Sequence, residues 1–331
     1  LKTNLPFLTF LKLALLTKKI SNTKNNKKIL VFHKSGGMDD LYSVYYKKEV
    51  YFDTLILARS NIKVIFHYFV KRSDDYNTFI NFNSDKELIN NKIKYKKFLK
   101  KIIKYYKFFF RISIIANFNL TNLTDWDLAT ASKENNIKFI TLHKECTKSF
   151  GKRILDELMY KKYIKKYSGD KIVVYNHDEK NVLVKSEIIK KKNIFVVGCS
   201  RIDYSFEFGS NKKNNSKKLF TIIYYAIQDV VSLPYIRGKF YNLPNENLEN
   251  YTWNNNASKF EKILFEYMCQ NKNINLIIKT KTGNPDQIKR LKKFEQFKNV
   301  KIINEGTGSY LLKYADLCIA FNSTIIYEAM A

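Results

Sequence analysis

Short runs of β-branched and aromatic residues alternate with longer stretches of helical spacing along most of the sequence. The runs predicted to be strands are 29–32, 64–66, 112–116, 139–142, 172–175 and 194–197, followed by 219–225, 276–278, 300–303 and 317–320. The helices are predicted near Asp39 and at 86–109, 125–135, 151–167, 256–270, 285–297, 308–315 and 323–331. Continuous apolar strands joined by helices are typical of parallel sheets covered on both faces. We therefore predict an α/β fold with two Rossmann-like, doubly wound domains that face each other across a cleft.

The polar segment 210–216 divides this series into two halves and is predicted to be a linker. A length of 331 residues suits two domains, each large enough to bury its own core. The predicted domains are 29–209 and 210–331, with 1–28 as an amphipathic N-terminal extension. Residues 229–255 are predicted to form an irregular insertion. Because the second half has only four predicted strands, we expect a further C-terminal piece to complete it.

The chain is strongly basic, with 59 Lys+Arg against 30 Asp+Glu and a net charge of +29. Such a charge suits a nucleic acid or an anionic membrane as partner. Lys is abundant together with Asn, Ile and Tyr, as expected from AT-rich coding, so we interpret most of the lysines as solvated helix faces. The sequence has no zinc-finger, RNP-like or GxGxxG pattern that would favour nucleic acid or a dinucleotide.

The cysteines and the N-terminal segment bear on localisation. Four cysteines without a CxxC spacing argue for reduced cytosolic thiols and against a zinc site or a disulfide framework. Residues 5–16 are apolar apart from Lys12, and Lys18 and Lys19 follow. We interpret this segment as an interfacial amphipathic helix or as a helix packed on the first domain, and not as a signal peptide. A cytoplasmic location is predicted, with peripheral contact to the inner face of the membrane left open.

Three predicted strand ends in the second half carry residues suited to a phosphate. Ser323 and Thr324 follow Asn322 at the start of the last predicted helix, where free backbone N–H groups attract an anion. Glu328 lies one turn further on and could reach a ribose hydroxyl. The alternative is an ordinary helix cap beside an exposed glutamate.

The other two strand ends carry a small-residue loop and two cations. Thr307 and Gly308 belong to a loop whose backbone amides could approach a phosphate or a base, and Lys279 and Lys281 suit a diphosphate. A plain turn and the high background of lysine are the alternatives.

In the first half, His143 and Glu145 follow a predicted strand, and either could take a proton from an attacking hydroxyl. A surface polar triplet is the alternative. Arg201 either points into the cleft between the domains or pairs with Asp203. Asp125 and Asp127 are interpreted as helix-capping residues. The loop at Gly36 and Gly37 follows the first predicted strand.

Four segments resemble GT-B glycosyltransferases of bacterial surface and capsular polysaccharide synthesis. They are HKE at 143–145, VVGCSRID at 196–203, IIKTK at 277–281, and the run from VKIINEGTG at 300–308 to AFNSTIIYEAMA at 320–331. The resemblance implies that the second domain binds the diphosphate of a nucleotide sugar, with Glu328 on the ribose. It also implies that the first domain holds the acceptor beside the Gly36–Gly37 loop and supplies His143 or Glu145 as base.

The resemblance departs from the family at one position. Retaining enzymes of this family often have a second glutamate eight residues before the final EA pair, where this chain has Ala320. The family requires no protein-bound metal, so no cofactor is expected beyond the nucleotide sugar as substrate.

The function predicted is transfer of a sugar from a nucleoside diphosphate to a cell-surface glycan or a lipid-phosphate-linked acceptor. A GT-B-fold sugar-nucleotide 2-epimerase and a glycerol-phosphate transferase are the alternative enzymes, and a basic nucleic-acid-binding protein is the alternative outside enzymes.

Overall fold

A computed structural model of the chain describes residues 5–20, 27–33, 37–46, 51–70, 86–120, 123–144, 146–148, 150–164, 166–209, 219–226, 235–236, 239–240, 254–281, 285–306, 308–321 and 323–330. The chain forms two compact units, Leu1–Ser200 and Arg201–Ala331. Each unit has its own sheet and its own buried core. The predicted α/β class with two Rossmann-like halves is therefore confirmed.

The first unit is built on a seven-stranded sheet of order β1-β3-β2-β4-β5-β6-β7. Its strands are β1 (Lys18–Lys19), β2 (Lys28–His33), β3 (Asp53–Ala58), β4 (Ile112–Asn117), β5 (Lys138–Leu142), β6 (Lys171–Val174) and β7 (Ile194–Val196). All neighbouring strands are parallel except β1, which pairs antiparallel with β3. Because the chain runs from β2 to β3 on one side and then to β4 on the other, the strand order reverses between β2 and β4.

Helices connect these strands and cover both faces of the sheet. They are α1 (Pro6–Leu16), α2 (Gly37–Tyr46), α3 (Arg59–Phe69), α4 (Lys86–Tyr105), α5 (Leu123–Lys133), α6 (Phe150–Met159) and α7 (His177–Lys185), with π-helical turns at Tyr106–Phe110 and Tyr160–Ile164. Alternate residues of β2 lie in different clusters: Leu30 and Phe32 pack with α3, α4 and α5, while Val31 packs with Met38 and Phe118. This alternation is expected of a strand that is buried on both faces.

One predicted strand of the first unit is wrong. Residues 64–66 lie inside α3, and the strand that precedes it is β3, Asp53–Ala58. Ile62, Ile65 and Phe66 are buried, which is the i, i+3, i+4 spacing of one helix face. A run of three apolar residues fits either structure, and here the wider helical spacing decides.

The second unit begins with α8 (Ser200–Gly209), whose first residue closes the first unit, and contains a four-stranded parallel sheet of order β12-β11-β8-β13. Its strands are β8 (Phe220–Tyr225), β11 (Ile274–Lys279), β12 (Val300–Ile303) and β13 (Leu317–Ala320), and β9 (Tyr235–Ile236) and β10 (Lys239–Phe240) form a separate antiparallel pair. The remaining helices are α9 (Asn254–Gln270), α10 (Pro285–Leu291) and α11 (Ile325–Met330), with 3-10 turns at Lys292–Gln296 and Ser309–Tyr314. Numbered along the unit, the order 3-2-1-4 is that of the first four strands of a Rossmann fold, and it reverses between β8 and β13.

The described residues cover the other predicted segments only in part. The predicted linker 210–216 lies outside them, and so does most of the insertion 229–255, of which the β9–β10 pair and the start of α9 are described. The predicted domain boundary after residue 209 remains a prediction. Among the described residues, no helix is long and apolar enough to cross a membrane.

Candidate functional site

The four strands of the second sheet end in one transverse row. Lys279 pairs with Ile303 on one side and with Tyr225 on the other, and Tyr225 pairs with Ala320. Each of these four residues is the last of its strand. The segments that follow the strands therefore begin level with one another along a single edge, which is the edge where open α/β sheets bind ligands.

Tyr225 and Gly308 meet beside the reversal of strand order in this sheet. The Tyr225 hydroxyl donates a hydrogen bond of 2.8 Å to the carbonyl oxygen of Gly308. A Cβ at Gly308 would lie 2.9 Å from Cε1 of Tyr225, closer than real Cβ contacts, so the absence of a side chain lets the loop lie against the ring. Burial raises the pKa of Tyr225, and the charges of Cys318 and Glu328 raise it further. Tyr225 is therefore a neutral donor that holds the loop in place.

Glu328 and Arg201 lie close together inside the second unit. Arg201 Nη1 is 3.7 Å from Glu328 Oε1, and the two side chains are 8% and 3% exposed. Glu328 is on α11, directly after β13, and Arg201 is on α8. Two predicted donor-binding residues from distant parts of the sequence are thus neighbours.

Ser323 and Thr324 precede α11. The Ile325 N–H points to Ser323 Oγ at 3.4 Å, and the Ile326 N–H donates to the carbonyl oxygen of Ser323 at 3.1 Å. Thr324 is exposed and accepts at its carbonyl from the Tyr327 N–H. The predicted capping position is therefore occupied by a serine whose side chain faces the first free amide of a six-residue helix.

The two predicted phosphate-binding lysines differ in burial. Lys279 is 7% exposed, and its Nζ donates to the carbonyl oxygen of Thr280 at 2.6 Å. Burial lowers the pKa of Lys279. Lys281 is exposed, and its backbone N–H donates to Gln287 Oε1. Lys281 is therefore the more open of the two cations.

In the first unit, His143 lies just beyond the end of β5 and is 1% exposed. Its Nδ1 accepts a long hydrogen bond of 3.4 Å from the Leu120 N–H, and its Nε2 is 3.3 Å from Oε1 of Glu179. An Nδ1 that accepts leaves the proton on Nε2, facing the carboxylate. This is the arrangement in which a carboxylate orients a histidine and leaves the second ring nitrogen with a lone pair.

Glu179 was missed by sequence reasoning, and it joins His143 to a buried ionic cluster. Its carboxylate is 2.8 Å from Lys148 Nζ, which is also 2.8 Å from Asp156 Oδ2. Burial alone would raise the pKa of Glu179, but the adjacent His143 and the charge of Lys148 outweigh it and lower the pKa. The sequence does contain one signal for this residue, because Asn176 follows a predicted strand and Glu179 comes three residues later, as in a helix cap. In the structure Asn176 caps α7 and its side chain accepts from the Glu179 N–H at 2.9 Å.

Gly37 is the first residue of α2, after β2, at the reversal of strand order in the first sheet. A Cβ there would lie 2.3 Å from Cγ of Phe118, a buried ring just after β4. Packing therefore explains why a glycine stands at position 37: α2 approaches Phe118 too closely for a side chain. Its predicted place beside an acceptor remains a prediction.

The capping interpretation of Asp125 is wrong. Asp125 lies within the first turn of α5, and both carboxylate oxygens accept from Arg59 Nε, at 2.9 and 3.0 Å. Asn117 Nδ2 donates to the same carboxylate at 3.2 Å. Asp125 thus ties α3 and β4 to α5. Asp127 is also on α5, and burial raises its pKa against the opposing charges of Lys92 and Lys96.

Four of the predicted site residues lie outside the described part of the chain: Gly36, Glu145, Thr307 and Asn322. Their predicted roles remain predictions. Within the described residues, no group of three or more His, Cys, Asp or Glu side chains is arranged to hold a metal ion.

The strand orders and these clusters define an α/β protein with two Rossmann-like units and with polar side chains at the carboxyl edges of both sheets. No protein-family model and no curated protein matches the chain. Among solved structures, it is similar to the UDP-GlcNAc 2-epimerase of Neisseria meningitidis bound to UDP-GlcNAc, with 12% identity, a TM-score of 0.48, and coverage of 88% of this chain and 76% of that one. The Rickettsia bellii UDP-N-acetylglucosamine 2-epimerase gives 14% identity, a TM-score of 0.49, and coverage of 92% and 76%. Anabaena HepE in complex with UDP-glucose gives 12% identity, a TM-score of 0.39, and coverage of 92% and 78%.

Proposed function

We propose that the protein is a GT-B-type enzyme of nucleotide sugars, and specifically a glycosyltransferase that moves a sugar from a nucleoside diphosphate to a glycan or lipid-linked acceptor. The observation that carries this proposal is the meeting of Arg201 with Glu328 in the unit whose strand order reverses beside β13. Open α/β sheets bind nucleotides at such a reversal, at the carboxyl ends of the strands.

The nucleotide part of the donor is assigned to the carboxyl edge of the second sheet. Glu328 would accept hydrogen bonds from the ribose hydroxyls, and Arg201 would keep that carboxylate ionised and oriented. The amides that follow Ser323 and the exposed Lys281 would face the diphosphate. Each donor aimed at the departing diphosphate contributes about 2–4 kcal/mol to the transition state in comparable sites.

His143 is proposed as the base. In an inverting transfer, the acceptor oxygen attacks the anomeric carbon, the bond from that carbon to the diphosphate oxygen breaks, and the base takes the hydroxyl proton. The position of Glu179 supports Nδ1 as the accepting atom, because Nε2 is the ring nitrogen that lies 3.3 Å from the carboxylate. Nδ1 must then give up its long hydrogen bond from the Leu120 N–H and accept from the acceptor hydroxyl instead. Catalytic hydrogen bonds often reach their final geometry only when substrate binds. Glu145 is the second proposed base.

The acceptor and the cellular setting are proposals of the same kind. A cell-surface glycan or a lipid phosphate as acceptor would place the enzyme at the inner face of the cell membrane, in a bacterium that builds a capsule or another envelope polysaccharide. The net charge of +29 supports proximity to an anionic surface.

The test is product analysis with a panel of nucleotide sugars, with and without a membrane extract as acceptor source. The proposal predicts that nucleoside diphosphate is released only when acceptor is present and in proportion to sugar incorporated. An isomerised donor sugar formed without acceptor would contradict transfer and indicate a 2-epimerase. With a nucleoside-diphosphate glycerol added to the panel, transfer of glycerol phosphate to the acceptor with release of nucleoside monophosphate would indicate the glycerol-phosphate transferase.

A further inference from the structure

Helix α1 presents apolar side chains on two opposite faces. Phe10 and Leu13 are 2% and 0% exposed and belong to the core of the first unit. On the outer face, Leu8, Leu11 and Leu15 are 51%, 43% and 88% exposed. Their spacing of three and four residues puts them in one stripe along the helix. Of the two sequence interpretations of this segment, packing accounts for only one face.

The outer face continues onto the π-helical turn that follows α4. Phe108 and Phe109 are 76% and 55% exposed, and their ring centroids are 5.0 Å apart. The Phe109 ring lies 6.4 Å from that of Phe7 and stacks on that of Phe10 at 5.3 Å. We call the surface formed by Phe7, Leu8, Leu11, Leu15, Phe108 and Phe109 the N-terminal apolar surface.

This surface is held in place by the core beneath it. The Thr17 hydroxyl, just after α1, lies 2.8 Å from the Tyr106 hydroxyl and donates to the Leu13 carbonyl. Lys107 Nζ, within the π-helical turn, donates to the Asn135 carbonyl at 2.7 Å. Tyr106 is 1% exposed. The helix and the π-helical turn that carry the exposed rings and leucines are therefore anchored to the core.

The chain segments that form the N-terminal apolar surface carry cations and no acids of their own, although Lys19 lies 3.1 Å from Asp53 and Lys100 lies 3.2 Å from Glu134. Between Leu88 and Arg111 the sequence has nine Lys and Arg and no Asp or Glu, and between Leu5 and Ile20 it has three lysines and no acid. Lys12 is exposed on the same helix between Leu8 and Leu15, and Lys104 is exposed on the last turn of α4. Apolar side chains flanked by lysines match an anionic bilayer. The apolar side chains fit the boundary between headgroups and acyl chains, and the lysines pair with the lipid phosphates. Two copies of this chain would instead bring cations against cations.

We propose that the N-terminal apolar surface docks the protein on the surface of an anionic lipid bilayer. The leucines and phenylalanines enter the boundary between headgroups and acyl chains, and the flanking lysines contact lipid phosphates. Helix α1 lies in the plane of the membrane and does not cross it. This inference does not depend on the proposed sugar transfer, because it concerns a different surface and a partner that needs no nucleotide.

Co-sedimentation of the whole chain with vesicles tests the proposal. The vesicles are phosphatidylcholine alone and phosphatidylcholine with phosphatidylglycerol. We expect binding to the second kind, weakened by added salt. A double variant, Leu8→Gln with Leu15→Gln, is expected to bind about tenfold more weakly, since each change removes apolar area from the contact. The matched control is Ile263→Gln, an exposed apolar residue of the second unit that is 63% exposed.

Leu15→Gln alone and Lys12→Glu keep the test informative, because both positions are exposed and neither substitution touches the core. Each is expected to weaken binding while the circular-dichroism spectrum and the melting temperature stay those of the wild type. Failure of the wild type to bind anionic vesicles would overturn the proposal, and so would equal binding by the double variant. A dimer in the wild type that the double variant loses would assign the surface to a second copy of the chain.

Discussion

His143 and Glu179 face each other in the interior of the first unit, with Nε2 3.3 Å from Oε1 and both side chains 1% exposed. The two residues come from different strand ends, β5 and β6, and meet because those strands are neighbours in the sheet. A histidine in this setting has a fixed tautomer, since one nitrogen faces a carboxylate and the other accepts a backbone N–H.

We predict that His143→Ala and Glu179→Gln both lower the turnover number, by about a hundredfold or more for His143, while leaving the affinity for nucleoside diphosphate unchanged. The His143→Ala variant lacks the proton acceptor, and the Glu179→Gln variant lacks the negative charge that orients His143. The double variant is expected to be no slower than His143→Ala, because residues that act as a unit are not additive. Asp178→Asn is the control, since Asp178 is the neighbouring acid and its side chain is 52% exposed. Normal turnover in His143→Ala would remove His143 as base.

The lowered pKa of Glu179 predicts a pH-dependent contribution to stability. Because the folded state binds this proton less tightly than the unfolded state, the ionised carboxylate stabilises the fold fully above the unfolded pKa of about 4.3. The contribution is lost as the pH falls through the lower folded pKa. Urea unfolding at about pH 6 and about pH 3 is expected to show a larger difference between wild type and Glu179→Gln at the higher pH. A difference that is constant with pH would contradict the assignment.

Asp125 and Asp127 are two residues apart on α5 and are predicted to respond oppositely to the same substitution. The Asp125 side chain is 1% exposed and pairs with Arg59. Asp125→Asn weakens this buried ion pair and should lower the free energy of unfolding by about 3 kcal/mol. Asp127→Asn should raise the free energy of unfolding near neutral pH, because burial raises the pKa of this carboxyl and its ionised form is disfavoured in the fold.

The sign of the Asp127 effect also fixes its pH dependence. A carboxyl with a raised folded pKa loses stability as the pH rises from its unfolded to its folded pKa. The gain in Asp127→Asn is therefore expected to shrink in acid. Thermal unfolding of both variants across pH measures this, and a destabilised Asp127→Asn at neutral pH would be contrary to the account.

Gly37→Ala is predicted to destabilise the first unit, because the new methyl group would lie 2.3 Å from the ring of Phe118. Overpacking of this kind typically costs about 1–3 kcal/mol. Gly151→Ala is the matched control, since a Cβ built on that residue in α6 would meet no atom within 4 Å from the described residues beyond its chain neighbours and the backbone of its own helix. The control is expected to be neutral or slightly stabilising. Chemical denaturation of both variants checks the pair, and equal stability would refute the packing explanation.

The parallel sheets could be predicted from sequence because their strands are continuous apolar runs, and most of them lie within a residue or two of the expected positions. The exception at 64–66 arose where three apolar residues fit a strand and a helix equally well. The strand before it, β3, was missed although its residues 55–58 form an apolar run, and it begins with Asp53 and Thr54, both buried.

The site could be predicted only where it follows strand ends. His143, Arg201 and Glu328 are proposed on this basis, because the carboxyl edge of a parallel sheet is a property of the strand pattern. Glu179 and the Arg59–Asp125 contact were not found, since each depends on residues that are distant in sequence and meet only in the folded chain. A sequence pattern can place a residue at the carboxyl edge of a sheet. Which residue it contacts there depends on the order of the strands, which the pattern does not give.

The proposed function requires that the carboxyl edge of the second sheet binds a nucleoside diphosphate through Glu328. Isothermal titration of the protein with nucleoside diphosphates, each with one of the common bases, tests it most directly. The account predicts binding of at least one of them, and a loss of about tenfold or more in affinity on Glu328→Ala, as expected when a charged hydrogen-bonding group is removed. Glu266→Ala, at an exposed glutamate on α9, should bind as the wild type does. No binding by any nucleoside diphosphate, or equal binding by Glu328→Ala, would contradict the account.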